Sequence, residues 1–123
     1  MARVLDAVER TLNDEQGRWI LSSTHPEAAS ELPLTRAVGG GVQDLVIDRT
    51  FVDAVSGERW VVDYKNSTPA EGISAEAFAA EETERYREQL RAYRDAVGAL
   101  GPQPVRCALY FTSLGQLHPL NEL

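Results

Sequence analysis

A chain of 123 residues with 43% apolar content can supply one domain with one core of ordinary size. Its 19 acidic against 12 basic residues leave a net charge of -7, which excludes a module that grips nucleic acid by charge alone, because phosphate neutralisation needs clustered Lys and Arg. A metal-dependent enzyme stays open, since bound cations cancel carboxylate charge and a partner can hold a polymer.

The longest apolar stretches, residues 45–47 and 108–111, fall far short of a bilayer span, and no signal-peptide pattern opens the chain. A soluble cytoplasmic protein with no membrane segment is expected. Cys107 lies inside an apolar run and reads as a buried free thiol.

In chain order, Val4, Leu5, Val8 and Leu12 recur at helical spacing, and the polar run Asn13 to Gln16 with Gly17 closes a first helix. Residues 17–30 mix Trp19, Ile20 and Leu21 with turn chemistry around His25-Pro26 and read as irregular. Residues 31–37 suit a strand, with Pro33 favouring an edge position because it lacks an amide hydrogen. After the turn Gly39-Gly40-Gly41, residues 45–52 and 59–65 are rich in β-branched and aromatic residues and form a hairpin that closes near Ser56-Gly57. Ser74 caps a long helix whose stripe runs Phe78, Glu82, Tyr86, Leu90, Tyr93, Val97 and Leu100, ending at Gly101-Pro102. Residues 105–112 make a last strand, apolar enough to be buried on both faces beside a parallel neighbour. The expected order is helix, three strands, helix, strand: an α/β fold with a mixed sheet flanked by helices.

Side chains alternate along a strand, so Asp63 and Lys65 share one face while Trp60, Val62 and Tyr64 take the other. The hairpin carries Asp48, flanked by Val46 and Thr50 on its own face, to about the level of Asp63. Two like charges side by side in a sheet destabilise it unless something positive intervenes, and Mg2+ takes one or two carboxylates with waters and substrate phosphate. Such an ion activates water and withdraws charge from a phosphodiester, while Lys65 aims a point charge at the developing negative charge. The same three residues also suit a solvated charged face. Asp44 competes with Asp48 as first ligand if the strand starts early, and His118 reads as a surface residue.

These motifs resemble one family. Val46-Ile47-Asp48-Arg49, then Val61-Val62-Asp63-Tyr64-Lys65-Asn66-Ser67, then Tyr86-Arg87-Glu88-Gln89-Leu90-Arg91-Ala92-Tyr93 look like successive motifs of the RecB/AddA branch of the PD-(D/E)xK nucleases, over residues 17–115. The resemblance implies a restriction-endonuclease-like core, with Asp48 and Asp63 as ligands of Mg2+ or Mn2+, the Tyr64 carbonyl as a further ligand and Lys65 as the catalytic lysine. It implies a motif helix carrying Gln89 and Tyr93, four residues apart on one face, although Tyr93 also fits the core stripe. Glu31 resembles the acid that begins the family's first strand and could join the site. The family's upstream histidine helix has no counterpart here, since His25 stands in another context. The implied activity is that of an exonuclease V-like module in double-strand break repair, a C-terminal piece of a larger helicase-nuclease. Its partners would be DNA, a helicase motor in cis and an AddB-like or RecC-like subunit. A catalytically inactive docking module of the same fold, and a scaffold in which acids and lysine form only a salt bridge, are the competing readings.

Overall fold

The computed structural model describes residues 11–120 and is an α/β fold, a mixed five-stranded sheet with a helix on each face. The elements are α1 (Glu15–Leu21), β1 (Ala29–Val38), β2 (Gly41–Val52), β3 (Arg59–Lys65), α2 (Ala75–Gly98), β4 (Val105–Phe111) and β5 (Gln116–Pro119). The strands lie side by side in chain order; β3 and β4 are parallel, joined by the α2 crossover, and every other neighbouring pair is antiparallel. None of the described helices is long and apolar enough to cross a membrane.

Turn chemistry sets this order. Gly39 and Gly40, both at positive φ, close a two-residue turn between the partners Val38 and Gly41, a backbone that disfavours side chains with a Cβ. Pro33 falls on the edge strand β1, as its missing donor requires. In the next turn the Asp53 carboxylate accepts from Val55 N–H and Ser56 Oγ, and Gly57 N–H donates to Asp53 O. Ser74 caps α2 by accepting from Ala77 N–H. The helix ends at Gly98, three residues before the expected stop, so Leu100 lies beyond it and is exposed.

The central strands are buried on both sides. Val61, Leu109 and Phe111 face α2 with Phe78, Leu90, Tyr93 and Val97, while Trp60, Val62, Ala108 and Tyr110 face α1 with Ile20. Fully burying each such side chain contributes about 1.5–3 kcal/mol. Cys107 belongs to the first cluster as a free buried thiol, and desolvation pushes its pKa up to about 12, which suits packing rather than reactivity.

Two elements differ from the sequence reading. Most of the expected first helix, with Val4, Leu5 and Val8, lies outside the described residues; residues 17–21, read as irregular, belong to α1, which begins at Glu15 within the polar run expected to close that helix. Asp14 starts α1 by accepting from Gly17 N–H, and its other bond, from Tyr110 Oη, ties that cap to β4. Position 17 inside this helix requires glycine, because a Cβ there would clash with the Thr11 carbonyl oxygen. At the other end, buried Arg49 donates to Ile20 O (2.9 Å), Ser22 O (2.9 Å) and Ser30 Oγ (3.0 Å), so a cation meets the carbonyl end of the helix. The second difference is β5, a short edge strand that the sequence reading did not contain.

Replacing Arg49 by Met leaves the carbonyls of Ile20 and Ser22 without this donor. Urea unfolding should show a loss of about 2–4 kcal/mol. Hydrogen exchange should show α1 amides losing protection well before those of α2; equal loss in both helices would refute Arg49 as the clamp of α1.

Candidate functional site

The site begins where β2 leaves β3. Their ladder runs from Val52↔Arg59 to Arg49↔Val62 and stops one step before Asp48 would face Asp63. Beyond that point β2 stays with β1 while β3 stays with β4, which opens a fork. The next donor along β3, Tyr64 N–H, is satisfied by Asp48 Oδ2 at 2.9 Å. A side chain thus replaces a ladder carbonyl, and this donor is not left bare at the split.

The strand also pivots there. Leu45 and Ile47 pack in the α2 cluster, yet Phe51 packs in the α1 cluster, so odd-numbered residues change sides of the sheet. The chain through β1 does the same: Ala28, just before the strand, lies with the α1 cluster, and Leu32 and Leu34 within it lie with the α2 cluster. The bonded register passes from Ser30↔Arg49 to Leu32↔Ile47, skipping the level of Glu31 and Asp48 with no residue inserted. Glu31 carries the strain, with φ 51, a left-handed backbone uncommon for a residue with a Cβ. Val46 is therefore exposed while Leu45 and Ile47 are buried, which corrects the expectation that Asp48 shares its face with Val46.

Asp63 and Lys65 lie on the α2 face of β3, as alternation predicted. Asp63 is only 5% exposed, and Lys65 Nζ stands 2.9 Å from Asp63 Oδ2. That contact is an ion pair, and it offsets part of the cost of burying the carboxylate. The Asp63 pKa is raised from its ordinary 3.8 to about 6: burial is the largest cause, a hydrogen bond with the Asp48 carboxyl adds to it, and Lys65 opposes both. Two acids and one ammonium thus share a site with capacity for one more positive charge.

Helix α2 closes the site from above. Lys65 Nζ lies 3.5 Å from the centroid of the Tyr86 ring. Gln89 Nε2 donates to Tyr93 Oη at 2.8 Å, which joins the two expected motif residues. Desolvation raises the Tyr93 pKa, and the charges of Asp63 and Asp48 add to the rise, so its hydroxyl feels both acids. Tyr93 is both a core residue and a neighbour of the site. Sequence reasoning gave Tyr86 and Glu82 no role beyond the stripe. Glu82 is buried and its Oε2 has no hydrogen-bond partner, with Arg85 3.7 Å from the other oxygen. A carboxylate on an apolar stripe was the signal for it.

Other sequence candidates fall around this centre. Glu31 sits across from Asp48 and is exposed. Asp44 is exposed and lines an adjoining groove of about 520 Å³ with Gln89 and Tyr93. The Tyr64 ring lies on the opposite face against Tyr110, and desolvation pushes its hydroxyl up to about 12. His25 stacks on Phe51 at 4.1 Å in the α1 cluster, a packing role. His118 is half-buried opposite Leu109, on the edge strand β5.

Asp48 and Asp63 fit a hard cation by their chemistry, since two carboxylates share a buried site with a single ammonium and Asp63 holds its proton up to about pH 6, a proton that a divalent ion would displace. Among the described residues, no group of three or more His, Cys, Asp or Glu side chains gathers to hold a metal. An ion here would complete its shell with water, substrate oxygen or backbone carbonyl.

The raised Asp63 pKa has a consequence for stability. Between pH 3.8 and about 6 the folded chain holds a proton at Asp63 that the unfolded chain has lost, so stability falls as pH rises through this window. Asp63→Asn cannot ionise. Urea titrations at pH 4 and pH 7 should show the variant gaining about 2–3 kcal/mol on the parent between the two; parallel pH profiles would mean that Asp63 ionises without cost.

No protein-family model matches the chain, and no curated protein matches it either.

Proposed function

We propose that this chain is a Mg2+-dependent DNA nuclease module with a restriction-endonuclease-like core, of the kind carried by RecB/AddA-type helicase-nucleases. The observation that carries the reading is the meeting of Asp48, Asp63 and Lys65 at the fork of β2 and β3, with Gln89 and Tyr93 beside them. Order, spacing and placement on adjacent strands agree with the motif resemblance.

In this reading Asp48 and Asp63 hold the ion, with the Tyr64 carbonyl as a further ligand. A bound Mg2+ or Mn2+ supplies Lewis acidity toward the phosphate oxygen and the attacking water. Lys65 places its ammonium where negative charge grows on the phosphate, and the wall of α2 limits bulk water around it. Gln89 fixes the Tyr93 hydroxyl, which is thereby aimed beside the acids. The net charge of -7 fits a division of labour in which a motor domain in cis, with an AddB-like or RecC-like partner, holds the DNA in the cytoplasm.

An inactive module of the same fold is the competing reading. The Asp63–Lys65 ion pair favours it, because the chain's own ammonium already neutralises the buried acid.

Calorimetry with Mg2+ and Mn2+ separates the two. The chain should bind with release of about one proton near pH 5–6, and Asp63→Ala should not bind. Lys65→Ala should keep metal affinity while its cleavage rate on labelled single-stranded or duplex DNA falls at least about 100-fold. Absence of metal binding by the parent chain would leave only the salt-bridge scaffold.

A further inference from the structure

Lys65 has two neighbours, Asp63 Oδ2 at 2.9 Å and the face of the Tyr86 ring at 3.5 Å from its centroid. A divalent ion bound through Asp63 takes the same carboxylate at about 2.0–2.1 Å for Mg2+, and two cations repel at that range. The metal then competes with the ammonium for Asp63 and weakens its hold there. The Lys65 side chain is only 16% exposed, so water can reclaim little of it where it stands. A four-carbon stem with this freedom would otherwise swing out to solvent, where its charge is best hydrated.

We propose that the Tyr86 ring is the seat that keeps the Lys65 ammonium in the site once Asp63 is engaged by the metal, which makes Tyr86 a positioning residue for the proposed hydrolysis. This inference rests on the nuclease reading. The ring is suited to the task because its negative face attracts an ammonium without competing for the metal, as a second carboxylate would. It is also placed for it: Tyr86 is half-buried and projects from the middle of a 24-residue helix anchored in the core at Phe78, Leu90, Tyr93 and Val97. A seat on a rigid helix restricts the lysine to the region of Asp63, where the phosphate would lie, and so lowers the entropy lost on reaching the transition state.

The test compares the parent chain with Tyr86→Phe and Tyr86→Leu. Tyr86→Leu should lose about tenfold in single-turnover cleavage of labelled single-stranded DNA, with KM and Mg2+ affinity within about twofold, while Tyr86→Phe should stay within about twofold of the parent in all three. Proton NMR of the Mg2+-saturated chain should show the Lys65 ε-methylene shifted upfield by the ring in the parent and in Tyr86→Phe, and returned to its ordinary position in Tyr86→Leu. Parent-like cleavage by Tyr86→Leu, or an unshifted Lys65 in the Mg2+-saturated parent, overturns the seat. A parent protein that binds Mg2+ but does not cleave overturns the nuclease reading alone, and the Lys65 shift still decides the seat. No Mg2+ binding overturns both.

Discussion

The bond from Tyr64 N–H to the Asp48 carboxylate is where the geometry of this domain is decided, because it allows two paired strands to part in the middle of a sheet. A β-strand leaving its neighbour normally strands a donor, and an unmet buried donor costs about 1–3 kcal/mol. Asp48 meets it from the side. β2 can then turn away with β1 while β3 continues beside β4, and the wedge between them opens toward α2. The pivot in β1, the positive φ of Glu31 and the change of face on both strands lie at the same level of the sheet. A carboxylate used in this way is also held still, oriented by a backbone group rather than by another flexible side chain.

The two faces of the sheet divide the labour. The α1 face is aromatic and aliphatic, with Trp19 edge-on to Phe51 and to Trp60, and its helix is tied by polar groups at both ends: Asp14 through Tyr110, and the final carbonyls through Arg49. The α2 face combines an apolar floor with one buried polar island. Burying charges costs several kcal/mol per ion unless partners compensate, and here the compensation is incomplete, as the raised pKa of Asp63 records. The broad contact of α2 with β4 and β1 can sustain that local cost.

Much of this was legible in the sequence. Alternation in residues 59–65 put Asp63 and Lys65 on one face, the apolar run of β4 gave a doubly buried parallel strand, and the stripe of α2 gave its packing face. Those signals survive because they repeat. The helix α1 left no such trace: seven residues are too few for a period, and its stability comes from Arg49, Tyr110 and Gln16, whose contacts lie far along the chain. β5 is four residues long with a proline at its end. The pivot was hidden for another reason. Val46, Asp48 and Thr50 alternate as a regular strand should, and nothing about glutamate announces a left-handed backbone at Glu31. Alternation identified the acids but misjudged the side chains that flank Asp48.

The hairpin of β1 and β2 carries a further implication for how such a domain can be elaborated. Its tip, Gly39-Gly40, touches nothing that an added side chain would disturb, and Val38, where the tip begins, lies seven residues along β1 from Glu31, roughly 23 Å at 3.3 Å per residue. Extra sequence spliced into that tip would leave the register between Val38 and Gly41 intact and would sit well away from the acids. The hairpin is thus a mast: a reporter, an affinity handle or an entire accessory domain mounted at its end could be carried by the fold while the fork at its base keeps its geometry.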